Sequence, residues 1–289
     1  VTFAATQMSC GREAEDNVAR AERLVRDAAQ RGADVVLLQE LFETPYFPID
    51  QDAGWFALAR PLAGHPTVDR LRRVARELGV VVPVSFFERA NNAFFNTVAM
   101  VDADGSVLGV YRKTHIPQAP AYEEKYYFSP GDTGPRVWRT RYGVLGIGIC
   151  WDQWFPESAR CMALMGAEAL LYPTAIGSDP PTSDARSLGA WQRVQQGHAA
   201  ANFMPLVASN RIGTERAEGT STRFYGSSFI ADHTGAVVAQ ASQDAEEIVT
   251  ATVDLDEIRG YREQWSVFRD RRPDVYDTLL TLGGDTASR

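Results

Sequence analysis

Residues 144–149 alternate apolar side chains with glycine, placing Gly146 and Gly148 on one face of an extended run. A strand of this kind is bare backbone on one side and bulky on the other, and it belongs where neighbours press closely from both sides. It needs partner strands beneath helices rather than water. The rest of the chain supplies both. Residues 14–31 read as a helix, with Val18, Ala21, Val25 and Ala28 at helical spacing, Leu24 and Ala29 widening the stripe, and Gly32 at the C′ position. Val35-Val36-Leu37-Leu38 is a short, wholly apolar strand. A second helix is expected over residues 67–78, with Val68, Leu71, Val74, Ala75 and Leu78 on one side and Gly79 closing it.

A strand over residues 80–86 follows, then a hairpin of residues 94–101 and 107–111 that turns at Asp102-Ala103-Asp104-Gly105. Beyond the glycine-bearing strand come a helix over 157–165, a strand over 169–172, a helix over 187–202 and a strand over 206–210. A hairpin turning at Asp232-His233-Thr234-Gly235 and a strand over 248–253 complete the body, before an arginine-rich segment from Arg259 to Arg272. Helices alternate with strands, so the expected class is layered α/β. No linker or repeat divides the chain. Residues 1–283 are read as one domain and 284–289 as a loose tail.

Composition prunes the function classes. A formal net charge of −8 speaks against nucleic-acid or anionic-membrane partners and is compatible with a cationic substrate. No run of about 18 apolar residues is present to span a membrane. The three cysteines (10, 150 and 161) form neither a zinc spacing nor a CxxC pair, which suits a reducing cytoplasm. The four histidines (65, 115, 198 and 233) do not cluster. There is no G-x-S-x-G and no HExxH, and Trp151 stands where a dinucleotide fingerprint would need its third glycine.

What remains is a set of polar residues at strand ends. Cys150 ends the 144–149 strand just before a helix start marked by Pro156 and Glu157, a position that favours an open, activated thiol. Glu40 follows the 35–38 strand, where partial burial would raise its pKa toward that of a working base. Lys113 follows the 107–111 strand. If these strands lie side by side in one sheet, their ends converge on one rim, where α/β sheets bind ligands. Cys161 is read as a core residue within its helix, and His115 and His198 as hydrogen-bonded structural residues.

The chain resembles the nitrilase superfamily of carbon–nitrogen hydrolases, whose sites use a Glu–Lys–Cys triad. The likeness runs from Val1 to about Gly283. The segments Gly148-Ile149-Cys150-Trp151-Asp152-Gln153-Trp154-Phe155-Pro156-Glu157, Leu171-Tyr172-Pro173-Thr174-Ala175-Ile176-Gly177, Gln196-Gly197-His198, Val207-Ala208-Ser209-Asn210-Arg211-Ile212-Gly213 and Phe268-Arg269-Asp270-Arg271-Arg272-Pro273 are similar to its N-carbamoylputrescine amidase branch.

The resemblance implies a four-layer α-β-β-α sandwich that pairs into a homodimer or larger homo-oligomer, and no cofactor or metal. It implies Cys150 as nucleophile and Glu40 as general base. Lys113 and the Trp151 main-chain N–H would form the oxyanion site, with Glu124 (or its neighbour Glu123) as a second glutamate orienting Lys113. Gln153 and Trp154 stand where carbamoyl-amino-acid hydrolases of the superfamily carry arginines, which favours a cationic carbamoyl amine. Its distal ammonium has Glu43, Asp152, Glu157 and Asp184 as candidate partners. Tyr46, Trp151 and Trp154 are available for cation–π contact, and Thr174 is placed in the same pocket. Asp152 reads equally as a helix cap. The competing readings are a simple ω-amidase, an N-carbamoyl β-amino acid hydrolase and a non-catalytic scaffold.

Overall fold

A computed structural model describes residues 1–178 and 187–284. The first half runs β1 (Thr2–Gln7), α1 (Ala14–Gln30), β2 (Val35–Leu37), α2 (Pro66–Leu78), β3 (Val82–Ala90), β4 (Ala93–Val101), β5 (Val107–Arg112) and the single turn α3 (Glu124–Tyr127). The second half runs β6 (Arg136–Thr140), β7 (Gly143–Ile147), α4 (Pro156–Leu164), β8 (Ala169–Pro173), α5 (Ser187–Asn202) and β9 (Leu206–Ser209). It continues through β10 (Ile212–Ala217), β11 (Thr220–Tyr225), β12 (Phe229–Ala231), β13 (Val237–Gln240), β14 (Glu247–Thr252) and α6 (Leu255–Trp265).

Two ladders, β14-β1-β2 and β3-β4-β5, meet through a parallel bridge between Val35 and Val81, so one sheet runs from β14 to β5. A second sheet has the order β13-β12-β9-β8-β7-β6. Its parallel strands β7, β8 and β9 are joined through α4 and α5, the usual crossover for parallel neighbours.

Period-two alternation sorts the side chains into layers. Phe3, Ala5, Val35 and Leu37 point between the sheets and meet Leu145, Ile147, Ala169, Leu171 and Val207. Their neighbours Ala4, Val36 and Leu38 face outward onto the stripe Val18, Ala21, Leu24 and Val25 of α1 and Val68, Leu71 and Val74 of α2. On the far side Leu170, Tyr172 and Leu206 pack under Ala159 and Met162 of α4 and Trp191 and Ala199 of α5. The result is the expected four-layer α-β-β-α sandwich. Gly146 is what lets α4 approach, since a Cβ there would lie 3.0 Å from Met162 Sδ and 3.1 Å from Leu170 Cδ2.

Several expectations need correction. The strands leading to Glu40, Lys113 and Cys150 do not share one sheet: β2 and β5 belong to the first and β7 to the second. Periodicity shows that a strand is buried on both faces without saying in which sheet. β7 stops at Ile147, and Cys150 opens a separate 3-10 turn, Cys150–Trp154. Cys161 is exposed, because the inward stripe of α4 is Ser158, Ala159, Met162 and Ala163. The arginine-rich segment begins inside a true helix, α6, capped by Asp254, whose carboxylate accepts from the N–H groups of Asp256 and Glu257. Of the tail, residues 285–289 lie outside the described residues. Among the described residues no helix is long and apolar enough to cross a membrane.

Candidate active site

The chain leaves β2 and reaches Glu40 with its carboxylate completely buried. The next residue, Leu41, adopts φ 48°, and its N–H is held by Ser85 Oγ of β3 at 3.0 Å. A bulky residue in the left-handed region costs on the order of 1–3 kcal/mol and persists only when its surroundings impose it. Lys113 emerges from β5 equally buried. Its N–H donates to the Asn96 carbonyl of β4 at 2.8 Å, and its own carbonyl accepts the Gly131 N–H at 2.8 Å.

These side chains form one continuous chain of hydrogen bonds. Lys113 Nζ donates to Glu40 Oε1 at 2.8 Å and to Glu124 Oε2 at 2.6 Å. Asn96 Nδ2 donates to the same Glu40 oxygen at 2.6 Å, and the Tyr46 hydroxyl donates to Glu124 Oε1 at 2.6 Å. Glu40 Oε2 is buried with no hydrogen-bond partner among the described residues. Burial alone would push the Lys113 ammonium toward neutrality, but Glu124 and then Glu40 overcome it and hold the lysine charged, above its ordinary value. Burial, with Glu40 adding to it and Lys113 opposing, raises the Glu124 carboxyl to about 7. Removing one partner from a buried ionic set of this kind costs on the order of 3–5 kcal/mol.

Cys150 adopts φ 44° and is 5% exposed, with Sγ 3.8 Å from the Ala175 carbonyl oxygen. Burial, and next the Glu40 carboxylate, push its thiol well above the ordinary range, with Lys113 pulling the other way. The group rests as a thiol, within the field of both the base-like carboxylate and the ammonium. Its turn is pinned by Asp152, which is fully buried with both oxygens engaged. Oδ2 accepts from the Ile149 N–H at 2.9 Å and the Tyr111 hydroxyl at 2.7 Å, while Oδ1 meets the His115 N–H at 3.0 Å and Nδ1 at 2.7 Å. The cap reading of Asp152 therefore replaces the ammonium-partner reading. His115 stacks on Phe155 at 3.6 Å, and His198 lies 3.3 Å from the Tyr172 hydroxyl, so both sit in the structural framework.

The structure separates the other candidates. Glu124 reaches Lys113, whereas Glu123 turns outward to Gln51 and Gln118. Glu43 accepts from Thr67 and lines a cleft between α1 and α2 of about 760 Å³, whose walls include none of Glu40, Lys113, Glu124 or Cys150. Its carboxyl is raised by burial to about 6. Glu157 is exposed on the outer face of α4, among residues lining a groove over α4 and α5. Both are therefore displaced from the site: the Glu43 side chain turns toward Thr67 of α2, and Glu157 lies on the exposed face of α4. Asp184 lies outside the described residues. Thr174 is buried, bonded through Oγ1 to Gln153 Oε1 at 3.1 Å, while its carbonyl receives the Glu40 N–H at 3.4 Å across the sheets. Trp151 is 38% exposed, and its ring lies 6.0 Å from that of the half-buried Trp154.

Two partners went unread in the sequence. Asn96 is an amide inside the largely apolar strand β4, a signal that was legible. Arg211 lies in the short link between β9 and β10, fully buried, and nothing in a lone arginine announces that.

The fold and this cluster can be set beside known proteins. Residues 2–263 match the family described as Carbon-nitrogen hydrolase. An N-carbamoylputrescine amidase of Solanum lycopersicum is 57% identical over 288 residues, covering 98% of this chain and 96% of that protein. A citrullinase of Francisella tularensis is 49% identical over 280 residues, covering 97% and 98%. Among solved structures, a carbon-nitrogen hydrolase from Helicobacter pylori G27 superposes with a TM-score of 0.91 at 38% identity, over 98% of this chain and 99% of that one. With sheets, layers and near full-length similarity in agreement, the chain belongs to the carbon–nitrogen hydrolase family.

Proposed function

We propose that this enzyme hydrolyses N-carbamoylputrescine to putrescine, ammonia and carbon dioxide, a step that supplies a polyamine. The observation that carries the chemistry is the division of labour on Glu40: Oε1 is held by Asn96 and Lys113 while Oε2 is bare. A urea-type carbon is a poor electrophile, so its attack requires a thiolate made on demand. Glu40 Oε2 takes the Cys150 proton as the sulfur bonds to the carbamoyl carbon. The oxyanion is held by the Lys113 ammonium and the Trp151 main-chain N–H, and losing one such donor costs on the order of 10²–10³ in rate. The C–N bond then breaks, the departing nitrogen taking the proton from Glu40 and leaving a carbonyl thioester. Water deprotonated by Glu40 attacks that carbonyl, the thiol is restored, and the carbamic acid released along the way loses carbon dioxide. Glu124, bonded to Tyr46, fixes Lys113.

The substrate reading is supported by the 57% identity to the tomato enzyme and by the surroundings of Gln153. That side chain, neutral and buried against Thr174, offers no charge of its own to grip an acid attached next to the carbamoyl nitrogen. We place Trp151 and Trp154 at the entrance, where their ring faces meet the diamine. L-Citrulline is the second reading. It carries the same ureido end, and the 49% identity to a citrullinase favours it over simple amides.

Residues 1–283 are taken as one hydrolase domain, because strands from both halves share the layer between the sheets. Association with further copies is supported by apolar side chains left in water, with Leu164 47%, Met165 50% and Leu279 63% exposed. Three free thiols support a cytoplasmic home.

Ammonia release from N-carbamoylputrescine, L-citrulline and N-carbamoyl-β-alanine, with wild type and Cys150→Ala, tests the reading. Preference for the first, lost in the variant, is expected. Preference for the third sinks the substrate assignment, and ammonia from none of them favours a simple amidase or a scaffold.

A further inference from the structure

The stretch from Leu38 to Tyr46 has a particular task. Glu40 near its start and Tyr46 at its end both touch the lysine-centred chain, one directly and one through Glu124. Its own main-chain bonds are weak. Glu40 N–H reaches the Thr174 carbonyl at 3.4 Å and Thr44 N–H reaches the Leu41 carbonyl at 3.3 Å, with Leu41 held at φ 48°. Side chains hold it: Ser85 Oγ accepts the Leu41 N–H at 3.0 Å, and Asn17 Nδ2 donates to the Glu43 carbonyl at 2.9 Å.

Arg211 makes the most of these contacts, from the short link between β9 and β10. Fully buried, it donates from Nη2 to the Glu40 carbonyl at 3.1 Å and the Leu41 carbonyl at 2.8 Å. From Nη1 it donates to the Thr44 carbonyl at 3.0 Å and to Glu215 Oε1 at 2.7 Å. The other oxygen of Glu215 accepts the Tyr46 N–H at 2.5 Å. One guanidinium–carboxylate pair thus grips the stretch at Glu40, Leu41, Thr44 and Tyr46.

We propose that Arg211 and Glu215 are positioning residues that set where both carboxylates of the site stand, Glu40 through its own carbonyl and Glu124 through Tyr46. The inference rests on the reading of Glu40 as the base. A buried ion pair is a poor device for stability alone, and here the Arg211 Nε–H is left without a hydrogen-bond partner among the described residues. What the pair provides is a rigid planar fork reaching several carbonyls at once, which a lysine with its donors on a single atom does not reproduce.

The test compares Arg211→Lys, Glu215→Gln, Glu40→Gln and the double variant Arg211→Lys/Glu40→Gln, using N-carbamoylputrescine turnover and thermal melting. Trp191→Phe, a change on the buried face of α5, serves as the control for general destabilisation. Arg211→Lys is expected to melt no lower than that control yet lose about 10²-fold in kcat with KM nearly unchanged, the scale of a misplacement of about 1 Å. Glu215→Gln, which keeps an acceptor for Tyr46, is expected to lose about tenfold, on the same scale. Adding Arg211→Lys to Glu40→Gln is expected to cost little more, because the base it positions is already gone. Wild-type kcat in Arg211→Lys overturns the inference, as does an equal loss in the Glu40→Gln background. If Arg211→Lys does not fold, Glu215→Gln decides by the same criteria. Full activity in Glu40→Gln overturns the catalytic reading itself, and the inference with it. Its loss there alongside an active Arg211→Lys overturns the inference alone.

Discussion

Asn96 Nδ2 lies 2.6 Å from Glu40 Oε1, the same oxygen that Lys113 holds from the other side at 2.8 Å. Two donors on one oxygen fix the carboxylate plane and leave its second oxygen to the thiol. β4 and β5 are antiparallel neighbours, so the Lys113 main chain docks on Asn96 as well.

Asn96→Leu, nearly the same size and without the donor, removes this restraint. A hydrogen bond to a charged group is worth about 1.5–3 kcal/mol, so kcat is expected to fall by about 10–100-fold with the fold intact. Steady-state kinetics beside a thermal melt check it, and an unchanged kcat would show that Lys113 alone orients Glu40.

The Glu124 carboxyl is raised from an ordinary 4.5 to about 7, chiefly by burial. The folded protein therefore holds a proton that the unfolded chain has released between those values. Stability is fullest below the unfolded pKa and declines as pH rises through the window. Glu124→Gln is expected to flatten that decline. Urea unfolding of both proteins between pH 5 and pH 8 measures it, and parallel profiles would refute it.

Gly131 is the tightest glycine beside the site. A Cβ there would lie 2.0 Å from the Arg112 carbonyl oxygen and 2.7 Å from that of Lys113. Both obstacles are main chain, so Gly131→Ala must push the end of β5 and carry Lys113 off Glu40. Overpacking of this kind costs about 1–3 kcal/mol in stability, and the larger loss is expected in kcat. Equal activity per folded molecule would mean that the end of β5 yields without moving the ammonium.

The thiol of Cys150 is raised by burial and next by Glu40. Glu40→Gln is therefore expected to lower the pH at which the thiolate forms while cutting turnover to a small residual rate. A pH titration of iodoacetamide alkylation reads the first and ammonia release the second. A thiolate that forms only at higher pH in the variant contradicts the assignment of Glu40 as its neighbour.

Much of this was legible in the residues. The stripes of α1 and α2 and the glycine face at 146 and 148 gave the helices, the buried strands and the address of Cys150. Elements of low contrast were not legible. β6 reads Arg-Val-Trp-Arg-Thr, and β10 and β11 are largely polar and partly exposed, so neither period nor propensity marks them. The acidic partners were misjudged because charge says nothing of direction: Asp152 is consumed as a cap, and Glu43 and Glu157 face other surfaces. Nor does alternation reveal on which side of the molecular midplane a strand will lie.

That midplane has a consequence for how the enzyme fails. The acid–base partners ride on one sheet and the sulfur on the other, so neither half holds a working set of groups. Turnover then reports the docking of the two halves as sensitively as any spectroscopic probe. Heat or denaturant that lets them slip by an ångström silences the chemistry while the outer helices still hold their shape.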